Sequence, residues 1–325
     1  MNLLIDIGNS RVKAALWEEG RCVAQRVTEH PVGAWFDRLL REFDVREAIF
    51  SSTRGDAEPL WRLLAERFPR AVRFTPATPV PIAIDYATPE TLGRDRVAAA
   101  VGAATLHAGR ETVIVDFGTA LTIDRVTADG TFRGGAISPG VTMRLRALHD
   151  YTASLPLCDP FAEGGEAAEL LRGCGAEPRA GEAADAPSER AARLQSGCGS
   201  EQPQGCGAAA GLRGSERASF PLSGRSTREA IERGVLNSVA FEIEGYLDRL
   251  GAENADLCVI FTGGEAKYFV KRIKNTIFAE PNLVFCGLNR ILEYHATTQR
   301  QMDEAPRNGA ADACRVGRFG ADEQH

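Results

Sequence analysis

Asp6-Ile7-Gly8-Asn9-Ser10 closes the apolar run of residues 2–7, and Asp116-Phe117-Gly118-Thr119-Ala120 closes the equally apolar run of residues 111–116. They are one pattern written twice, 110 residues apart. In each, a carboxylate ends a stretch that reads as a buried strand, and a glycine two residues later supplies turn chemistry. The segments that follow repeat as well. After the first copy come a return strand at 12–17, a third strand at 22–28, an amphipathic helix at 31–43, a short strand at 48–50 and a helix at 58–68. After a long Ala-rich helix at 92–107 the second copy restarts the series, with strands at 120–126 and 131–137 and a helix at 141–148. Repetition at this scale points to a duplicated domain and not to a short-period solenoid.

Further on, residues 226–250 read as a helix with Ile231, Val235, Val239, Ile243 and Leu247 on one face and Ser226 or Thr227 as its N-cap. A strand at 255–261, the turn Thr262-Gly263-Gly264, a helix at 265–273, a strand at 282–285, a helix at 288–294 and a polar tail at 301–325 complete the chain. Residues 161–219 stand apart, with 11 Gly and 14 Ala among 59 and few large apolar side chains, so they are expected to be a low-complexity, disordered insertion. The expected domains are therefore 1–110 and 111–160 plus 220–300, in agreement with about two domains for 325 residues.

A net charge of −6 argues against nucleic acid as a partner, because phosphate-backbone affinity needs clustered Lys and Arg. The longest charge-free apolar run, 97–109, falls short of the about 20 residues that span a bilayer, and no basic, apolar leader opens the chain. None of the eight cysteines forms a Cys-x-x-Cys pair, so reduced thiols in the cytoplasm are the expectation.

A strand-end Asp followed by Gly-Asn-Ser in a tight turn gathers backbone N–H groups and a hydroxyl around one point, a concavity suited to anions. Asp6 can hold the waters of a phosphate-bound Mg²⁺, and Arg11 and Lys13 can neutralise phosphate charge. With the second hairpin opposite and the Gly263-Gly264 turn nearby, these elements read as a nucleotide cleft between the two copies. Gly93-Arg94-Asp95-Arg96, at the start of the Ala-rich helix, has two readings that the residues leave open. One is a general base between two anion clamps, and the other is a carboxylate favoured by the helix dipole beside solvated arginines.

The ordered set of these motifs, with Gly134-Gly135-Ala136-Ile137-Ser138-Pro139-Gly140 and Gly224-Arg225-Ser226-Thr227, resembles the type III pantothenate kinases over residues 1–160 and 220–297. The resemblance implies an α/β fold of duplicated ribonuclease-H-like (actin-like ATPase) domains with a nucleotide cleft between them. It implies ATP-dependent phosphorylation of pantothenate by a cytoplasmic homodimer that uses Mg²⁺ and a monovalent cation, K⁺ or NH₄⁺. Carried over by position, Asp6, Ile7, Gly8, Asn9, Ser10, Arg11, Val12 and Lys13 would cradle ATP, with Thr119 joining from the second hairpin. Asp95 would be the general base. Tyr86, Gly93, Arg94, Asp95, Arg96 and Thr227 would bind pantothenate, and Asp116 the monovalent cation. The competing readings are another small-molecule kinase on the same fold and a non-catalytic, transcription-linked accessory protein.

Overall fold

A computed structural model describes residues 1–8, 11–29, 33–54, 57–68, 70–162, 167, 221–273, 275 and 277–304. β1 (Asn2–Ile7) pairs antiparallel with β2 (Val12–Glu18), which pairs antiparallel with β3 (Arg21–Thr28). After α1 (Gly33–Glu42) the chain returns as β4 (Glu47–Ser52), parallel to β1. After α2 (Glu58–Arg67) it returns again as the short β5 (Val72–Arg73), parallel to β4. The sheet order is β3-β2-β1-β4-β5.

β6 (Ala83–Ile84) and α3 (Arg94–Leu106) lead into the second series: β7 (Thr112–Phe117), β8 (Ala120–Val126), β9 (Thr131–Pro139), α4 (Val141–Asp150), α5 (Thr227–Glu253), β10 (Cys258–Gly263), β11 (Ile277–Ala279) and α6 (Leu283–Glu304). Its sheet runs β9-β8-β7-β10-β11, the first order over again, with β6 added on the outer edge of β9. The duplication read from the two Asp-x-Gly motifs is thus present strand for strand, and the chain is α/β with two mixed sheets of ribonuclease-H-like order.

Successive residues of a strand face opposite sides of the sheet, so a strand buried on both sides carries two cores. β1 does so. Leu3, Ile5 and Ile7 pack with Phe36 of α1 and Leu64 of α2, while Leu4 faces a second cluster that includes Val97 and Val101 of α3, Leu288 and Ile291 of α6, and Ile114 and Ile260 of the other sheet. α3 and α6 therefore form a layer that serves both sheets. They can approach closely because Gly102 and Gly287 lie where they cross: a Cβ on Gly287 would overlap the Ala98 carbonyl, and one on Gly102 the Leu283 carbonyl.

The described residues form two compact units, one of Met1–Ser138, Leu250–Gly264 and 277–304, the other drawn from Pro139–Arg249 and Glu265–Asn275. A boundary at residue 110 separates the two copies of the strand order, whereas compactness keeps both sheets in one unit, because they share the α3–α6 layer and β6 pairs with β9.

Two expected elements near the end differ. Residues 265–273 contain a single 3₁₀ turn, Ala266–Tyr268, in place of a helix. The last strand is Ile277–Ala279, and 282–285 lies at the start of α6, where Leu283, Leu288, Ile291 and Leu292 lie buried toward the α3 layer at helical spacing. A short apolar run such as Leu283-Val284-Phe285 fits strand and helix equally well in isolation. α6 also takes in residues 301–304 of the expected polar tail. The rest of that tail, and the insertion apart from residues 161, 162 and 167, lie outside the described residues.

Candidate active site

The register sets the neighbours of each strand-end carboxylate within its own sheet. Asp6 lies opposite Lys13 on β2 and Ser51 on β4, and Asp116 lies opposite Thr122 on β8 and Thr262 on β10. Leu4 and Ile114, two residues before each Asp, belong to the cluster around α3 and α6, so both carboxylates leave the ends of their strands on the α3 side. Asp95 occupies the first turn of α3.

The charge of Asp95 acts on both strand-end carboxyls. Burial, and next the charge of Asp95, push the Asp6 carboxyl up to about 7; Asp116 adds to the rise and Lys13 opposes it. Burial pushes Asp116 up to about 6, opposed by Lys13 and reinforced by Asp95 and Asp124. Asp6 Oδ1 is buried with no hydrogen-bond partner among the described residues. Two carboxyls whose charged forms are disfavoured by burial and by Asp95, one of them with an unsatisfied oxygen, form a place that suits a cation. Among the described residues no three His, Cys, Asp or Glu converge as a metal centre. Mg²⁺ needs only one or two carboxylates, because it keeps several waters and substrate phosphates around it.

The turns are held from behind. Gly8 N–H donates to the Arg11 carbonyl at 3.1 Å, Thr53 donates to the Ile7 carbonyl through its N–H (3.0 Å) and Oγ1 (3.1 Å), and Arg54 Nε donates to the Gly8 carbonyl at 2.7 Å. Val12 is buried, Arg11 and Thr119 are exposed, and Asn9 and Ser10 lie outside the described residues. In the second hairpin Gly118 N–H donates to the Ala120 carbonyl at 3.2 Å. Gly263, at φ +92°, packs so closely that a Cβ would come within 2.5 Å of Asp116 Oδ1 and of the Phe117 carbonyl, whereas one on Gly264 would meet open space.

At the start of α3, a Cβ on Gly93 would lie 2.5 Å from Asp95 Oδ1, so glycine is what lets this carboxylate sit where it does. The same oxygen accepts the Arg96 N–H at 2.9 Å. The reading of solvated arginines is corrected. Arg94 is buried over the Phe74 ring and donates to the Leu92 and Pro89 carbonyls, each at 3.0 Å. Arg96 is buried against Asp124, with Nε 3.0 Å from Oδ2, and lies over the Tyr86 and Phe132 rings. The two side chains turn to different partners, on either side of Asp95 in the sequence. Thr227 is the exposed first residue of α5 and belongs to the second unit. The cap is Ser226, whose Oγ accepts the Glu229 N–H at 3.2 Å while the Glu229 carboxylate accepts the Arg225 N–H at 2.7 Å.

Sequence reasoning missed Asp124, Thr53 and Arg54. Asp124 had a readable signal, a charged residue inside the apolar strand Leu121-Thr122-Ile123-Asp124. Thr53 and Arg54 had none, since their role is to hold a turn 46 residues away.

Two copies of one strand order, each opening with an acidic hairpin, with a carboxylate on the helix between them, give the frame of the actin-like ATPase class of folds. The family profile described as "Type III pantothenate kinase" matches residues 2–169. A type III pantothenate kinase of Azobacteroides pseudotrichonymphae is 33% identical over 90% of this chain and 97% of its own length. Those of Porphyromonas gingivalis and Phocaeicola vulgatus are each 32% identical, over 90% and 91% of this chain and 98% and 99% of theirs. The solved activator of the 2-hydroxyisocaproyl-CoA dehydratase from Clostridium difficile matches at a TM-score of 0.47 and 12% identity, over 95% of this chain and 99% of its own, too distant to weigh on the assignment. The chain belongs to the type III pantothenate kinase family, whose reaction is the ATP-dependent phosphorylation of pantothenate at the start of coenzyme A biosynthesis.

Proposed function

We propose that Asp95 is the general base of this reaction, that Asp6 through Lys13 and Thr119 hold ATP, and that Tyr86, Gly93, Arg94, Arg96 and Thr227 bind pantothenate. The observation that carries the reading is that both strand-end carboxyls, Asp6 and Asp116, feel the charges of Asp95 and Lys13, with Asp6 Oδ1 buried and without a partner among the described residues. Phosphoryl transfer passes through a loose transition state, so positioning and charge neutralisation outweigh base strength. Mg²⁺, when bound with ATP, neutralises the phosphate oxygens. Asp6 supplies a carboxylate for its waters, and Lys13 a positive charge beside it. Asp95 accepts the hydrogen of the pantothenate hydroxyl as the oxygen–phosphorus bond forms and ADP departs. Arg96, a planar guanidinium, binds the carboxylate of pantothenate.

Asp116 would hold K⁺ or NH₄⁺, a reading supported by its negative charge being disfavoured by desolvation and by Asp95 and Asp124. The enzyme acts as a homodimer in the cytoplasm. Support for the dimer comes from the apolar side chains that the second unit exposes, Met143 and Tyr151 in and after α4 and Phe241 and Tyr246 on α5, with Tyr151 89% accessible. Support for the compartment comes from the free thiols of Cys22, Cys158, Cys258 and Cys286. An ATP-consumption assay with pantothenate tests the reading: turnover is expected in K⁺ and a lower rate in Na⁺, and the absence of pantothenate-dependent turnover in K⁺ overturns it.

A further inference from the structure

Arg96 is held more completely than an anion clamp requires. Its Nε lies 3.1 and 3.0 Å from the two oxygens of Asp124, Nη2 bonds Oδ1 as well, and the guanidinium reaches the Tyr86 hydroxyl. The rings of Tyr86 and Phe132 lie with centroids 5.9 and 5.6 Å from the guanidinium carbon. Asp124 is itself buried on β8 and takes a further hydrogen bond from Thr122. β9 closes the cradle without side chains. A Cβ on Gly134, at φ +80°, would press on the Tyr86 ring at 3.2 Å, and one on Gly135 would lie 2.6 Å from Asp124 Oδ1. A guanidinium has five N–H donors, and these bonds occupy three of them.

A buried ion pair adds little stability over well-packed apolar residues, so stability alone does not account for this one. Its geometry does something else: two parallel bonds fix the plane of the guanidinium as well as its place.

We propose that Asp124 is a positioning residue for the acceptor, setting the plane and reach of Arg96 so that the remaining N–H groups meet the pantothenate carboxylate while its hydroxyl lies at Asp95. The proposal rests on Arg96 being a substrate contact, and the test separates the two ideas. Steady-state kinetics with pantothenate and ATP varied independently, together with Tm, are measured for Asp124→Asn, Arg96→Lys and the double variant. Asp124→Asn is expected to raise the pantothenate KM about tenfold or more with the ATP KM unchanged and kcat within about threefold. In the Arg96→Lys background, which has no plane to fix, it is expected to change the pantothenate KM by less than about twofold. A lowered Tm with both KM values at wild type makes the pair a folding feature and overturns the proposal. A normal pantothenate KM in Arg96→Lys overturns the reading of Arg96, and the proposal with it. Should Asp124→Asn not fold, Asp124→Glu keeps the charge but moves it; a raised pantothenate KM supports positioning, and a wild-type value overturns it.

Discussion

The two hairpins occupy equivalent places in equivalent sheets, yet their aspartates have different company. Asp6 faces a lysine and a serine across the register, Asp116 two threonines. Both feel Asp95, and Asp6 is buried while Asp116 is partly so; Asp6 is pushed up to about 7 and Asp116 to about 6. The hairpin glycines themselves are alike, since a Cβ on Gly8 or Gly118 would meet its nearest atom at 3.6 or 3.4 Å, but the second copy adds Gly263 on β10, where a Cβ has no room beside Asp116. Strand order determines where a carboxylate ends up, and the residues opposite it determine what it can hold. The second copy has its carboxylate closely packed by Gly263, while the first shows no such close approach at Gly8.

The largest test removes the group both copies share. Asp95→Asn is expected to lower kcat by about 10²- to 10⁴-fold with the ATP KM little changed, measured by steady-state kinetics; an unchanged kcat removes Asp95 from the reaction. Next in size is the glycine contrast. Gly263→Ala forces a Cβ onto Asp116 at a positive φ and is expected to cost about 2–4 kcal/mol, seen as a fall in Tm. Gly8→Ala is expected to leave Tm near wild type and to raise the ATP KM instead. If both variants merely lose stability, the difference drawn between an open and a closed turn is wrong.

The smallest effect is in stability against pH. Between about pH 4 and 7 the folded protein keeps a proton on Asp6 that the unfolded chain has released, so this group's contribution falls as pH rises through that window and remains a penalty above it. Asp6→Asn should therefore raise the Tm of the ligand-free protein at pH 8, by about 2–4 °C for each kcal/mol relieved, and the gain should fade toward pH 4. Asp116→Asn should do the same to a smaller extent, with its window closing near pH 6. Thermal melts across that pH range check the order, and a larger gain at Asp116 would reverse the comparison.

Much of this was legible in the chain. The apolar runs ending in Asp6 and Asp116 marked the central strands, and the glycine after each marked the turn. The Gly93–Arg96 motif was readable as a site, but its two arginines were not, since nothing local says that Arg94 turns to the Pro89 and Leu92 carbonyls and Arg96 to Asp124. The Ala-rich helix could be recognised as a helix. That it serves both sheets depends on Gly102 and Gly287, which lie 185 residues apart and work only as a pair.

By itself the sequence determined the repeated series of strands and helices and the positions of its acidic strand ends, because period-two burial and turn residues act over a few neighbours and are written locally. The tertiary structure alone decided which charges meet. The pairing of Arg96 with Asp124, the pressure of Asp95 on both strand-end carboxylates and the hold of Arg54 on the Gly8 carbonyl join residues from different elements. Electrostatic strength depends on distance and burial, and neither exists until the sheets close on α3.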